Sequence, residues 1–371
     1  MRNDFDIVII GAGVIGLAIG EYFAKKNPQW NIIIIEKNSR HGQGISSRNS
    51  EVIHSGIYYP KDWLKSKLCI KGRKLLYPFL EKYNIPYRKM GKLIVATNDK
   101  QIPELYQIYN NAIAKGVDGL SLLSRKQIQT IEPNVNSVAA IFSSETGVFS
   151  VDRFMDVLLA QFLSNNGNIL LETEFKSVEK LPRNYKLQFN SKLDGDISIT
   201  SRFVINSAGL SAVDIAQKFN PNLKEQIYFC KGHYLKVLGA KNHFNHLIYP
   251  LPSKTFLGIH STIGLDGELR IGPDAVYLKE NIEDYKTYHP DLLSKFNNSI
   301  SEYWHDLSDF EMTHDMIGIR PKIHSQKDPQ KDFRITYDNQ GWIDLLGIES
   351  PGITSAMAFG EILDNMIQNS Q

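Results

Sequence analysis

The stretch Asp6-Ile-Val-Ile-Ile-Gly-Ala-Gly-Val-Ile-Gly16 decides the fold of this 371-residue chain. Residues 6–10 form a short apolar run, which is typical of a buried parallel strand. A helical pattern follows and is stopped by Asn27-Pro28, and a second apolar run ends at Glu36. Strand, glycine turn, helix and strand together predict a βαβ unit with a right-handed crossover.

The three glycines of this turn predict a dinucleotide site. Gly11 permits a tight turn, Gly13 lets the backbone approach a pyrophosphate, and Gly16 lets the helix pack on the strand. The helix N-terminus would then face the phosphates. Glu36 is placed to accept hydrogen bonds from a ribose 2′-hydroxyl, and its carboxylate would repel the 2′-phosphate of NADP. The fingerprint does not separate NAD from FAD.

The composition is that of a large globular protein without electrostatic bias. Hydrophobic residues make up 42% of the chain and charged residues 22%, which excludes a disordered or fibrous protein. The formal net charge is only +2, so the basic excess of a nucleic-acid-binding protein is absent. The two cysteines, Cys69 and Cys230, are too few for a disulfide framework and are typical of a reduced compartment. We therefore expect a cytoplasmic protein that binds no nucleic acid.

Signals for membranes and metals are weak. No apolar run approaches the about 18–20 residues that a membrane-spanning helix needs, and the glycine-punctuated N-terminal stretch does not resemble a signal peptide. Peripheral contact with the inner face of the membrane is left open. We expect no metal site, because the histidines at positions 41, 305, 314 and 324 lack ligand spacing.

The order of the elements predicts two interleaved domains. Elements of the dinucleotide-binding type lie at the start, middle and end of the chain, and include an apolar strand that ends in Ala208-Gly209. Short runs within residues 228–272, among them 256–261, instead predict an antiparallel sheet. We predict an α/β fold with a Rossmann-like domain (residues 1–85, 146–222 and 325–371) and a substrate domain on a mixed or antiparallel sheet (residues 86–145 and 223–324).

The stretch Ser46-Ser-Arg-Asn-Ser-Glu-Val-Ile-His-Ser-Gly-Ile-Tyr-Tyr59 resembles the second flavin motif of the FAD-dependent D-amino-acid-oxidase-like superfamily. Residues 90–97, 247–252, 257–262 and 347–354 are similar, more narrowly, to the L-2-hydroxyglutarate dehydrogenase/oxidase family. The resemblance implies a D-amino-acid-oxidase/glutathione-reductase-like fold with FAD as cofactor. It also implies oxidation of an L-2-hydroxy acid, with L-2-hydroxyglutarate as the leading candidate, to the 2-oxo acid by hydride transfer to flavin N5.

The same resemblance implies the residues that hold the cofactor. Phe175 would contact the adenine end through its backbone. The last helix would point its N-terminal donors at the flavin pyrimidine ring, where they stabilise the negative charge that hydride transfer brings. Glu51 stands where the family usually has glycine. The predicted FAD contacts are Gly11, Gly13, Gly16, Glu36, Lys37, Ser46, Ser47, Arg48, Asn49, Ser50, Phe175, Ala208, Gly209, Gly352, Ile353 and Thr354.

Three residues are predicted to carry the chemistry. Arg320 lies in a Gly-Ile-Arg-Pro sequence that resembles a superfamily motif, whose arginine clamps the substrate carboxylate with two parallel hydrogen bonds. His54 is predicted to accept the hydroxyl proton as a neutral imidazole while the α-hydrogen leaves as hydride. His260 is the alternative base or a residue of the pocket wall. Lys231 and His233 are further candidates for binding a second carboxylate.

Two other functions are compatible with the same sequence features. Arg320 would bind an amino acid equally well, so an FAD-dependent amine oxidase or dehydrogenase acting on glycine or sarcosine is the alternative. A non-catalytic dinucleotide-binding protein is a third hypothesis, and the presence of both His54 and Arg320 argues against it. The substrate is expected to be a small carboxylate. The electron acceptor is oxygen or a quinone, and a quinone would require at least peripheral membrane contact.

Overall fold

The computed structural model describes residues 3–252, 258–280 and 283–369. Over these ranges the chain forms eight α-helices and three sheets. None of these helices is long and apolar enough to cross a bilayer. The helices are α1 (Val14–Lys26), α2 (Leu64–Lys82), α3 (Ile102–Ala114), α4 (Arg125–Ile131), α5 (Val151–Ser164), α6 (Ala212–Phe219), α7 (Leu292–Ile300) and α8 (Gly352–Gln368).

Most strands of the same ranges are short, and three of them have 11 or 12 residues. They are β1 (Phe5–Ile10), β2 (Ile32–Ile35), β3 (Val52–Ile53), β4 (Tyr87–Arg88), β5 (Lys92–Ala96), β6 (Leu120–Ser124), β7 (Ala139–Ser143), β8 (Gly147–Phe149), β9 (Asn168–Leu170), β10 (Thr173–Lys180), β11 (Tyr185–Ser191), β12 (Gly195–Asn206), β13 (Tyr228–Leu238), β14 (Leu247–Pro250), β15 (His260–Ile263), β16 (Leu269–Gly272), β17 (Val276–Tyr277), β18 (Glu311–Lys322), β19 (Arg334–Tyr337) and β20 (Trp342–Leu346).

The first sheet has a Rossmann-like parallel centre. Strand β1 pairs in parallel with β2 and with the end of β12, β2 pairs with β9, and β12 pairs in parallel with β20. The first half of β12 forms an antiparallel extension with β11, which pairs with β10. Helices α1, α5 and α8 pack together against this sheet in one apolar core. The glycine turn therefore lies where β1 ends and α1 begins, as the sequence predicts.

The second sheet is mixed and mainly antiparallel, which confirms the predicted fold class. Its strands follow the order β17-β13-β16-β15-β14-β5-β7-β6, and β18 pairs with the other edge of β13. Only the β14–β5 pair of this described sheet is parallel. A small third sheet has the strand order β3-β8-β4. The strands of the two large sheets lie within the two predicted sets of segments, while the domain boundaries themselves stay a prediction.

Two elements differ from the sequence-based expectation. Residues 290–305 have a helical pattern in the sequence, but only the part at α7 forms a helix, and a 3-10 turn at His305–Asp309 follows it. Strand β18 was not expected, because the first part of it is largely exposed and gives no clear apolar alternation. Residues 256 and 257 of the predicted strand at 256–261 lie outside the described residues, and the following strand begins at His260. The unpredicted strand β18 matters because it carries Arg320.

Candidate active site

One cavity of about 530 Å³ runs between the first sheet and the second. Nearly all of the predicted cofactor and catalytic residues line its wall. Two of them do not: Gly16 packs inside the fold, and the Ser47 hydroxyl donates to the Gly44 carbonyl oxygen. The predicted residues on the wall are Gly11, Gly13, Glu36, Lys37, Ser46, Arg48, Asn49, Ser50, His54, Phe175, Ala208, Gly209, His260, Arg320, Gly352, Ile353 and Thr354.

The glycine turn leaves room for a ligand at the start of α1. Gly11 has a φ of 102°, and a Cβ atom there would lie 2.9 Å from the carbonyl oxygen of Ser207. The Ala208-Gly209 turn therefore passes directly beside Gly11. The backbone N–H of Val14 donates to Ser46 Oγ at 3.0 Å, so the second motif is attached to the first helical turn. The cradle has the shape that a pyrophosphate requires.

Glu36 is held rigidly at one end of the cavity. One of its carboxylate oxygens accepts the N–H of Ala12 at 2.8 Å, and the other accepts the backbone N–H of Asn38 at 2.9 Å. These bonds fix the carboxylate next to the glycine turn, in the position that suits a ribose hydroxyl. Phe175, on β10, lines the same end and is buried.

The loop after Ser46 reaches from the phosphate end to the substrate end. The guanidinium of Arg48 lies 4.3 Å from the ring centroid of Tyr285, and Asn49 accepts the backbone N–H of Glu51. Glu51 has a φ of 56°, a conformation that favours glycine. Its carboxylate offsets the cost of this backbone conformation, because it accepts the N–H of Val151 and so caps the start of α5. Glutamate therefore fits where the family usually has glycine.

His54 is positioned by residues 300 positions away in the sequence. The backbone N–H of His54 donates to Thr354 Oγ1 at 3.0 Å, and Thr354 donates in turn to the carbonyl oxygen of Val52. The imidazole Nε2 lies 3.3 Å from Ser350 Oγ. These hydrogen bonds connect the first turn of α8 to the segment that carries His54. Sequence reasoning missed Ser350, because only the fold brings it to His54.

Burial keeps the histidines of the cavity neutral. It lowers the pKa of His54 to about 3, with further contributions from the charges of Lys92 and His260. Burial also lowers the pKa of His260 to about 3. The ring of His260 stacks on Tyr249 at 3.8 Å, and its Nδ1 lies 3.1 Å from the Gly258 carbonyl oxygen. Since a carbonyl can only accept, Nδ1 carries the proton and Nε2 is free to act as a base.

Lys92 is a buried cation close to both histidines. It is 2% exposed, and no carboxylate of the described residues lies close enough to raise its pKa. Its Nζ atom instead lies 4.6 Å from the ring centroid of Tyr249 and 5.2 Å from that of Tyr58. Burial lowers the pKa of Lys92 to about 8. This amine therefore disfavours a second positive charge on either imidazole.

Arg320 presents its guanidinium to the cavity without a direct ion pair to any described residue. Among the described residues its guanidinium donates to backbone carbonyl oxygens, at 3.4 Å to Cys230, 3.2 Å to Lys231 and 2.5 Å to Asp274, and to no carboxylate. These bonds fix the fork of donors without neutralising it. A buried arginine in this state is suited to binding the carboxylate of a substrate.

Lys231 and His233 do not line the cavity. Lys231 Nζ is bound to the Asp284 carboxylate and the Thr287 carbonyl oxygen, both at 2.7 Å, and His233 Nδ1 is bound to Asp274. Their neighbours in β13, Gly232 and Tyr234, are the residues on the wall. The prediction that they bind a second carboxylate is wrong, because alternate residues of a strand point to opposite faces.

The chain matches a known protein family over almost its whole length. The family described as FAD dependent oxidoreductase matches residues 6–366. This chain belongs to that family. It is also 32% identical to an Arabidopsis thaliana protein named L-2-hydroxyglutarate dehydrogenase, mitochondrial, over 98% of this chain and 83% of the relative. A human protein of the same name is 30% identical over 80% of this chain and 67% of the relative.

Solved structures confirm the fold of this FAD-dependent oxidoreductase. The L-α-glycerophosphate oxidase of Mycoplasma pneumoniae, determined with FAD bound, superimposes with a TM-score of 0.85 at 23% identity, covering 99% of this chain and 95% of the other. Glycine oxidase from Geobacillus kaustophilus gives 0.82 at 18% identity, covering 100% and 96%. FAD is the cofactor. The cavity fits it, with a cradle at Gly11, a carboxylate at Glu36 and a helix N-terminus at Gly352.

Gly16 should be essential for keeping FAD, although it does not touch the cavity. A Cβ atom at this position would overlap the carbonyl oxygen of Gly11 and the Ser207 hydroxyl, so α1 would have to move away from the cradle. We expect Gly16→Ala to lose bound flavin and about 1–3 kcal/mol of stability. The flavin-to-protein absorbance ratio after gel filtration and urea unfolding measure both effects.

Gly20, one turn later in α1, is the matched control. A Cβ atom there would meet the flexible ends of Ile34 and Phe162. Gly20→Ala should keep the wild-type flavin ratio, with a smaller loss of stability. Wild-type flavin content in Gly16→Ala would contradict the role given to the glycine turn.

Lys92 should contribute, after burial, to the pH dependence of flavin reduction. A pKa of about 3 leaves His54 neutral at every pH above that value, so the reduction rate should show no acid limb near the ordinary histidine pKa of about 6.5. Lys92→Met removes a cation that lowers this pKa, and the acid limb should move upward. Stopped-flow reduction from pH 8 down to pH 3 would show the rate falling at a higher pH in Lys92→Met than in the wild type.

The exposed lysine Lys89, which pairs with Glu145 on the surface, provides the control. Lys89→Met should leave the pH profile unchanged. An identical profile for Lys92→Met and the wild type would mean that Lys92 does not influence the base.

Proposed function

We propose that this enzyme oxidises L-2-hydroxyglutarate to 2-oxoglutarate. The observation that carries the proposal is the presence, in one cavity, of an arginine that forms no ion pair with the described carboxylates and a neutral histidine beside the start of α8. The names of the relatives that match most of this chain support the substrate. An oxidation of this type removes a proton from the hydroxyl and a hydride from the carbon that carries it.

Different residues of the chain bind the substrate and accept the hydroxyl proton. Arg320 binds the C1 carboxylate with parallel hydrogen bonds and so fixes the orientation of C2. His54, held near Ser350 and Thr354, accepts the hydroxyl proton as the neutral imidazole. Bound FAD supplies the acceptor for the hydride. The N-terminus of α8 places its dipole on the same wall, where negative charge is stabilised.

A substrate screen under anaerobic conditions tests the proposal. Purified holoenzyme should lose its visible flavin absorbance with L-2-hydroxyglutarate and keep it with the D-enantiomer, glycine and sarcosine. The product should be 2-oxoglutarate, without release of ammonia or a primary amine. Reduction by glycine or sarcosine, with no response to L-2-hydroxyglutarate, would replace this function by the amine-oxidising alternative.

The electron acceptor is part of the same proposal. We propose oxygen or a quinone, in a cytoplasmic enzyme that contacts the inner face of the membrane if a quinone is used. Both cysteines of the chain are buried and free, in keeping with a reducing compartment. Mixing the reduced enzyme with oxygen or with a soluble quinone, and timing reoxidation, separates the two acceptors.

A further inference from the structure

An ionic cluster lies on the cavity wall next to Arg320. Lys322 Nζ contacts both carboxylate oxygens of Glu349, at 3.0 and 2.9 Å, and Lys65 Nζ contacts one of them at 2.9 Å. The three side chains are almost buried, with exposed fractions of 11% for Lys322, 3% for Lys65 and 9% for Glu349. All three line the same cavity as the predicted catalytic residues. Their positions along the chain do not group them, because only the fold brings residues 65, 322 and 349 together.

The spacing of this cluster from Arg320 suits a short diacid. Arg320 and Lys322 lie two residues apart on β18, and both line the cavity, so their side chains leave the same face of the strand. Two residues of a strand span about 6.5–7 Å. This distance is comparable to the separation of the two carboxylates at the ends of an extended five-carbon chain.

The charges of the wall also match a dianion. Arg320, Lys322 and Lys65 carry three positive charges, and Glu349 carries one negative charge. Burial alone would raise the pKa of Glu349, but Lys65 and Lys322 hold it well below its usual range, so it stays ionised. Within this set of four nearly buried residues, the positive charges exceed the negative charge by two. Buried charges of this kind are stabilised by a partner of opposite sign.

Two other basic residues near Arg320 are already paired. Lys231 is neutralised by Asp284, and His233 is bonded to Asp274 on the far face of β13. Lys322 lines the cavity on the same strand as Arg320 and shares the single carboxylate of Glu349 with Lys65, so this pair of lysines is well placed for a second carboxylate.

We propose that Lys322, supported by Lys65 and Glu349, forms a subsite for the distal carboxylate and makes the enzyme selective for 2-hydroxy diacids. The proposal rests on the proposed function, because it takes Arg320 as the residue that binds the C1 carboxylate. Glu349 keeps the two lysines together and extended toward the cavity. The lysines thus determine specificity, while the reacting carbon is oriented by Arg320.

A pair of substrates of equal chain length tests the subsite. L-2-hydroxyglutarate and L-2-hydroxyvalerate differ only in the distal carboxylate. Anaerobic stopped-flow reduction gives the limiting rate and the half-saturating concentration for each. In Lys322→Met we expect the half-saturating concentration of the diacid to rise about 10–100-fold, and that of the monoacid to change far less. Lys322→Arg should restore most of the preference for the diacid.

Lys327→Met, at an exposed position beyond β18, is the control and should behave as the wild type. If Lys322→Met loses flavin, Lys322→Gln, which keeps a polar side chain of similar length, takes its place. An equal loss for both acids in the variant, or a wild type without preference for the diacid, overturns the subsite. If another class of acid reduces the wild type instead, the proposed function fails, and the diacid and monoacid of that class then decide the subsite separately.

Discussion

Replacing Arg320 by methionine should lower the efficiency of flavin reduction by L-2-hydroxyglutarate about 10²–10³-fold, while FAD remains bound. The guanidinium faces the cavity with backbone carbonyl oxygens as its hydrogen-bond partners among the described residues. Removing one partner of a desolvated charge pair costs about 2–5 kcal/mol, and tenfold in affinity corresponds to about 1.4 kcal/mol. The loss should affect monoacids and diacids alike, because both carry the C1 carboxylate.

Anaerobic stopped-flow measurements with both acids check this result. Arg334→Met is the matched control, since Arg334 lies on β19 with a largely exposed side chain that pairs with Glu225. Arg320→Lys should recover part of the efficiency, because an ammonium keeps the charge but loses the fork of donors. Unchanged reduction in Arg320→Met would show that the substrate carboxylate binds elsewhere.

Replacing His54 by glutamine should slow the limiting rate of flavin reduction about 10²–10³-fold, within the range that general base catalysis contributes. Glutamine keeps a polar side chain close to Ser350 but cannot take the hydroxyl proton. The half-saturating concentration should change little, because Arg320 still binds the acid. This split between rate and affinity distinguishes a lost base from a disturbed pocket.

Two further histidine variants make the result specific. His260→Gln should slow reduction less than His54→Gln, because we assign the proton transfer to His54. His41→Gln is the control, since His41 pairs with Asp156 outside the cavity wall. A larger loss in His260→Gln than in His54→Gln would make His260 the base.

Local signals allowed the cofactor half of the site to be predicted from the sequence. The glycine turn, Glu36 and the Ser46–Ser50 segment each act through contacts within a single strand, turn or helix start, and such patterns are visible in order along the chain. The family resemblance added the last helix. The cavity wall contains all of the predicted cofactor residues except Gly16 and Ser47.

The substrate half depends on facts that the sequence does not contain. The register of β13 in its sheet decides whether Lys231 or its neighbour Gly232 faces the cavity. A shift of one residue along the strand would exchange the two faces. The register itself shifts at a bulge between His233 and Leu235. Likewise, the bridge from Lys65 through Glu349 joins elements that meet only in the finished fold.

The bond between His54 and Thr354 has a consequence for the order of events during synthesis. Because its two ends are 300 positions apart, the wall around the flavin can close only after nearly all of the described chain has been made. Contacts so distant in sequence form slowly, since a long loop must close first. The polypeptide should therefore pass through a stage that lacks cofactor, and FAD, which stabilises the folded form by binding it, arrives late. Cells short of riboflavin would then accumulate a less stable apoprotein.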